Sequence, residues 1–435
     1  MKILLIAALA ASILLPAPGW SSEPPSEAPI PLPPVPPPVP PVAPAPNEPR
    51  WTKWFNPATA PFIPVPLIAT DPNSGVTVGL IPTVVTTDEN HDVRRIVAPD
   101  VLYNPDFGFG VHARIFAYSS ADTQWSAVAG IKERVEREFD GEYEIGRTRE
   151  GPWSVLYSLI YDRNGSARFY GIGNQTRRRA QTNYTDQQDW AQVQLGFNLN
   201  HTWQILYTAR MKVVDVLPGT LNGIASIQTR FHGTLGTNKQ LLNRFSVVYD
   251  SRDDTTVPTR GMKWVVYAGA ASKQGLFNNS SYSEAGIDGR GFWPVAPDIV
   301  LAAHLSLRYL PSAKDVPFWA LSSLGGGQVE IGGQQPLRGF GDGRFYDRNS
   351  FSTTVELRRK VFTFDAVTTK LDIEVAPFVD FGRVFAHSNT NPLFHVHPVV
   401  GVGFRGIARP FVVGYVDIGY GSEGAAVFTG LNYPF

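Results

Sequence analysis

The chain has 435 residues, 38 basic and 38 acidic side chains, 17% charged residues overall, 12% aromatics, 40 glycines, 37 prolines and no cysteine. The balanced charge gives no electrostatic reason for a nucleic-acid partner or an acidic substrate. The missing cysteine excludes disulfides, thiolate metal sites, a cysteine nucleophile and a lipidated N-terminal cysteine.

Residues 1–22, MKILLIAALAASILLPAPGWSS, carry one lysine, an apolar run from Ile3 to Leu15 and then small and turn-forming residues. This is the layout of a cleaved secretory signal, with the cut between Ala17 and Ser22. A membrane-spanning anchor needs about 20 apolar residues, and Pro16 and Pro18 interrupt the run first. The next segment, 23–59, holds fourteen prolines between Pro24 and Pro49. Proline fixes φ and donates no backbone hydrogen bond, so an extended, disordered periplasmic spacer is expected here.

From residue 60 to 435 no apolar run is long enough for a membrane-spanning helix. Runs with period-two alternation recur instead, separated by clusters of Gly, Asn, Asp, Pro and Ser. In FSTTVELRRKVF, Phe351, Thr353, Val355 and Leu357 share one face while Thr354, Glu356 and Arg358 share the other. In VAPFVDFGRVF, Val375, Val379 and Phe381 oppose Phe378, Asp380 and Gly382. HPVVGVGFRGIA and RPFVVGYVDIGYG repeat the pattern, with Arg405 and Asp417 on their polar faces. One face is lipid-like and the other is charged. An exported chain built of such runs predicts an all-β fold, a closed antiparallel transmembrane β-barrel in the outer membrane of a Gram-negative bacterium, with membrane lipid as its surroundings. The last run, AAVFTGLNYPF, continues the alternation through Tyr433 to the terminal Phe435.

Seventeen candidate runs lie between Gly75 and Phe435. A barrel with both ends in the periplasm needs an even number. The long connections Asp162–Asp186 and Pro311–Asn349 should follow odd-numbered strands but follow the sixth and twelfth runs. Removing one run before Tyr161 repairs both positions and predicts sixteen strands.

Four stretches resemble the BamA/TamA-type barrel superfamily, also called the bacterial surface antigen family. They are YDSRDDTTVPTRGMKW at 249–264, LRGF at 337–340, PFVDFGRVF at 377–385 and GVGFR at 401–405. PFIPVPLIATDPNSGVTVG at 61–79 and RFYGIGNQT at 168–176 resemble its shorter branch, in which the barrel stands alone. The resemblance implies a sixteen-stranded barrel whose sixth extracellular loop folds into the lumen. In that loop Leu337, Arg338, Gly339 and Phe340 would form the tip, Asp380 would be the acidic wall partner of Arg338, and Glu356 a second acidic contact. It further implies that Tyr433 and Phe435 form a C-terminal signal for the barrel assembly machinery, and that the role is protein or lipid insertion or translocation. Family members with that role usually carry periplasmic POTRA domains. The proline-rich segment leaves no room for one, which leaves an unidentified periplasmic partner to be expected.

An arginine in a confined lumen needs a carboxylate to offset desolvation, and its planar fork can grip one bidentately. A glycine after it permits close approach to the wall, with Leu337 and Phe340 filling space beside it. Other chemistry is weaker. Gly401, Gly403 and Gly406 match a dinucleotide fingerprint in spacing, but the following segment reads as a strand where pyrophosphate binding needs a helix. Gly325–Gly327 lacks the Lys-Ser or Lys-Thr of a phosphate loop. His387, His395 and His397 have no closely spaced carboxylate and read as loop histidines, so neither a cofactor nor a metal is expected. A passive diffusion porin and a barrel hydrolase with a serine or aspartate beside a histidine are the rival functions to a non-enzymatic barrel.

Overall fold

The computed structural model describes residues 62–435 other than 90–92, 273–279, 315, 367–368, 388, 409–411, 432 and 434. The expected signal segment and the proline-rich spacer lie outside the described residues.

Eighteen antiparallel strands close into a barrel. They begin with β1 (Ile63–Asp71), β2 (Gly75–Thr87) and an interrupted β3 (Val93–Val97 with Asp100–Asn104). β4 (Gly108–Tyr118), β5 (Thr123–Lys132), β6 (Arg137–Ile145), β7 (Trp153–Asn164) and β8 (Thr182–Asn198) follow. The middle of the sheet is β9 (Trp203–Pro218), β10 (Gly236–Asp250), β11 (Gly261–Ala271), β12 (Ser281–Ala296) and β13 (Ile299–Lys314). The last five are β14 (Asn349–Ala366), β15 (Thr369–Phe385), β16 (His397–Ala408), β17 (Val412–Gly421) and β18 (Gly424–Leu431).

The alternation read from the sequence is the alternation of the barrel wall. On β16 Val400 and Phe404 face outward while Val399 and Arg405 are buried inside. On β17 Val416, Ile418 and Tyr420 are outside while Asp417 is inside. A one-residue slip would put the charged set into lipid, so the register is strongly specified.

The strand number corrects the expectation of sixteen. The seventeen runs counted from Gly75 equal the number of strands from β2 to β18, and the missing strand is β1, which lies before them. Its sequence IPVPLIATD contains Pro64 and Pro66, which weaken a strand reading. Proline is tolerated on a strand with one nearly unpaired edge, and β1 is such a strand. It pairs along its whole length with β2, from Ile63↔Thr83 to Asp71↔Gly75, but among the described residues meets β18 through the single pair Thr70↔Val427. With β1 counted, the long connections 165–181 and 315–348 follow the seventh and thirteenth strands. Long loops mark the extracellular end, so both barrel ends are periplasmic and 315–348 is the seventh extracellular loop, not the sixth.

That loop folds back into the lumen. It carries a small sheet in which Ser322–Leu324 lies between Gln334–Gln335 and Phe345–Asp347. Leu324, Leu337, Phe340 and Phe345 pack on Phe378 and Val384 of β15 and Val399 of β16. Tyr346 of the same loop bridges to Ile172 of the fourth extracellular loop, 165–181, and joins an aromatic core with Phe169, Tyr184 and Phe318.

A closed barrel has almost no free edge from which to unzip. Unboiled protein is therefore expected to migrate differently from boiled protein on a denaturing gel. Identical migration at every temperature would contradict closure.

Candidate functional site

The loop tip sits where four adjacent strands turn polar side chains inward at the same depth. β14 supplies Thr354, Glu356 and Arg358, β15 supplies Phe378 and Asp380, β16 supplies Arg405 and β17 supplies Asp417. The register explains the convergence: Thr354 faces Asp380, and Gly403 beside Arg405 faces Asp417.

Arg338 is fully buried at the centre. Its Nη2 and Nε donate to the two oxygens of Asp380 at 2.8 and 3.1 Å, and its backbone nitrogen donates to the same carboxylate at 3.0 Å. Nη1 reaches Glu356 at 2.6 Å and Asp417 at 2.8 Å. The guanidinium lies 3.5 Å over the ring of Phe378. Both acids named from the sequence, Asp380 and Glu356, are thus in contact with Arg338, and Asp417 is a third that sequence reasoning placed on the polar face without linking it to the tip. Burial by itself disfavours the charged guanidinium, but Asp380 and Glu356 hold its pKa well above the usual arginine value. The cation is permanent.

Two further arginines complete the balance. Arg405 pairs with Glu356 at 3.0 Å and Asp417 at 3.2 Å, and Arg358 pairs with Glu356 at 3.0 Å. A fourth carboxylate, the buried Glu374, lies 3.9 Å from Arg405, so each arginine of the cluster meets at least one acid, which is how desolvated charges are offset. Thr354 donates to Asp380 at 2.9 Å, satisfying it further.

Gly339 is required by approach. A Cβ there would lie 2.5 Å from the Gly421 backbone nitrogen, and one on Gly419 would collide with the Arg338 carbonyl. The tip is seated backbone against backbone on β17. Leu337 and Phe340 are buried on either side of this contact.

Tyr433 and Phe435 do not extend the lipid-facing alternation. β18 ends at Leu431, and the two rings turn into the lumen beneath the arginine cluster. Arg358 lies 4.0 Å from the Tyr433 ring and 4.9 Å from that of Phe435, and Phe435 stacks on His304 at 5.5 Å. The physical reason is on Arg358: its two Nη atoms have no hydrogen-bond acceptor among the described residues, and aromatic faces add to its pairing with Glu356 in stabilising the buried cation; the Tyr433 hydroxyl in turn donates to Glu374 at 3.1 Å.

A second anchor holds the base of the loop. Glu284 on β12 binds Arg244 of β10 at 2.6 Å and Arg308 of β13 at 2.9 Å. Those arginines donate onward to the carbonyls of Ile331 and Ala320 in the loop, at 2.7 and 3.3 Å. Glu330 pairs with Arg210 of β9 at 2.5 Å. The loop therefore spans the lumen from β14–β17 to β9–β13. Below it a cavity of about 810 Å³ remains, lined by Asp140, Glu142 and Glu144 on one side and by Arg149, Lys263 and Arg290 on another.

The histidines separate. His397 stacks on Phe345 at 4.1 Å and its Nε2 lies 2.9 Å from the Asn174 carbonyl. His387 and His395 are exposed, and no group of metal-ligating side chains occurs among the described residues.

Among solved structures, CdiB from Escherichia coli superposes with a TM-score of 0.51 over 85% of this chain and 66% of that chain, at 13% identity. BamA from Haemophilus ducreyi lacking POTRA domains 1–3 gives 0.49 over 85% of this chain and 74% of that one, also at 13% identity. The chain thus spans about two thirds of the E. coli CdiB structure and three quarters of the BamA one. No curated protein matches the sequence. The Omp85 superfamily domain matches residues 124–405, well over half of the chain, and that span contains all four stretches on which the resemblance rested. A closed outer-membrane barrel with these motifs and this match belongs to the Omp85 superfamily.

Proposed function

We propose that this protein is a non-enzymatic barrel that inserts or translocates protein or lipid at the outer membrane. The observation that carries the reading is the seam. Among the described residues every other junction in the wall is a ladder of several pairs, whereas β1 and β18 share the single pair Thr70↔Val427. A route that opens sideways into lipid needs one weak junction in an otherwise closed wall, and backbone groups freed there must find a partner strand or close again. The lumen loop supports the same reading. It straddles the seam at the extracellular end, where Asn73, just after β1, donates to the Asp342 carbonyl at 2.8 Å and Glu423, just before β18, pairs with Arg344 at 2.6 Å. A loop that fills the lumen and clasps both seam strands favours this role over a passive diffusion porin. Client delivery by an unidentified periplasmic partner, and assembly of the barrel itself through Tyr433 and Phe435, belong to the same proposal.

The chain has no cysteine, so Thr70→Cys with Val427→Cys introduces the only thiols and can lock the seam by oxidation. In proteoliposomes the reduced protein is expected to accelerate assembly of an unfolded eight-stranded tester barrel, and the oxidised protein to lose most of that acceleration. Equal rates in both states would remove the seam from the mechanism. Vesicle swelling in small sugars, unaffected by the lock, would favour the porin instead.

A further inference from the structure

We infer that the fourth extracellular loop carries a binding surface for the phosphate groups of an outer-leaflet glycolipid, placed beside the outer end of the seam. Arg177, Arg178 and Arg179 are consecutive and all exposed, the last two in a 3₁₀ turn at Arg178–Ala180. Exposed Arg230 of the fifth extracellular loop, 219–235, joins them by donating to the Arg179 carbonyl at 2.6 Å. Among the described residues no carboxylate pairs with any of the four. Glu423, whose backbone the turn touches, is already neutralised: Arg344 holds both of its carboxylate oxygens, at 2.9 Å each from Nε. Arg178 donates to the Glu423 backbone carbonyl at 3.1 Å, which fixes the turn in place without cancelling its charge. In a chain with no net charge, four guanidinia without counter-charges are a local excess that a polyanion can neutralise.

Position selects the polyanion. The contact with Glu423 puts the turn over the β17–β18 hairpin, whose connection is two residues between paired Gly421 and Gly424. The connection after β1, across the seam, is three residues, between paired Asp71 and Gly75. Short connections on both sides make the rim low here, which favours contact with the headgroups of the surrounding leaflet over a soluble polymer. A guanidinium fork suits phosphate oxygens. Arg178 and Arg179 point apart on the 3₁₀ turn and Arg177 precedes it in extended backbone, which fits several phosphates on neighbouring lipids better than one enclosed anion.

The test uses the full barrel in detergent micelles, with bound lipid counted by native mass spectrometry for diphosphoryl lipid A and for its dephosphorylated form. The protein is expected to retain the diphosphoryl form preferentially. Retention should fall roughly fivefold for each arginine removed in Arg177→Gln with Arg179→Gln, and further when Arg178→Gln and Arg230→Gln are added, while the heat-dependent gel shift stays normal. The paired variant keeps the Arg178–Glu423 contact and separates lost charge from a disturbed loop. Equal retention of the two lipid forms, or unchanged retention in both variants, would overturn the inference. Full competition by inorganic phosphate would reassign the surface to a free anion, and binding of dextran sulfate without lipid A would reassign it to a soluble polyanion; either result overturns the lipid.

Discussion

Arg338→Ala is expected to release the seventh extracellular loop while the barrel remains assembled. The substitution removes the side-chain hydrogen bonds and ion pairs that seat the tip and leaves Asp380 with two neutral donors, the Thr354 hydroxyl and the backbone N–H of residue 338, and no cation. Glu356 and Asp417 keep Arg405 as a partner, and Glu356 keeps Arg358 as well, so the uncompensated carboxylate is Asp380. Breaking a fully buried pair by removing one partner costs about 3–5 kcal/mol, and the side chains of Arg338 and Asp380 are wholly inaccessible. The readout is new protease cleavage between Gly325 and Asn349 with a normal heat-dependent gel shift. Asp380→Ala should expose the same sites. The double variant should be no worse than Arg338→Ala, because it removes the stranded charge and because groups sharing one interaction are not additive. Arg338→Lys should fall between, since a point charge cannot span three carboxylates. If the two alanine variants give different cleavage patterns and their effects simply add, the pair does not hold the loop, and Glu356 and Asp417 become the acids to test.

Glu284→Ala should produce the other large effect, at the opposite wall. This one carboxylate is held by Arg244 and Arg308, both nearly inaccessible, and its loss strands two cations. At about 3–5 kcal/mol for a broken buried pair, the midpoint of the heat-dependent gel shift should drop, and cleavage should appear in the loop base at 316–333, where Ile331 and Ala320 receive the two arginines. Glu284→Gln preserves shape and one acceptor and should cost less. Replacing Arg308 by Met in the alanine variant should recover part of the loss, because an apolar group of similar volume carries no desolvation penalty. An unchanged midpoint in Glu284→Ala would mean that water, not Glu284, solvates these arginines.

The two anchors differ in how visible they are in the sequence. LRGF and PFVDFGRVF are compact local signals, and the resemblance they carry pointed to Arg338 and Asp380 together. Glu284, Arg244 and Arg308 stand in three separate strands with no shared motif. Period two assigns each side chain to a wall face, but the face says nothing about depth or neighbours. That needs the stagger between strands.

The sequence by itself determined the class and the sidedness. Alternation is a local property, set by the opposite directions of successive side chains, so an all-β barrel with Asp380, Arg405 and Asp417 inside was legible residue by residue. Loop lengths and an even strand count are likewise constraints on the chain alone, and they require a change of one in the seventeen runs. The direction of that change is not local: β1, with its two prolines, does not read as a strand, so sixteen is expected where eighteen strands form. Only closure decides such a case, because β1 is a strand by virtue of its ladder to β2, and its weak side is defined by where β18 arrives. Tertiary structure alone also decided the fate of Tyr433 and Phe435. Their spacing continues the lipid-facing pattern, yet a buried guanidinium on Arg358 offers a cation–π partner that the sequence around residue 435 cannot reveal. The meeting of Asp417 with Arg338, 79 residues apart in the chain, was set in the same way, by shear between four strands and a glycine-cleared approach of the loop backbone to the wall.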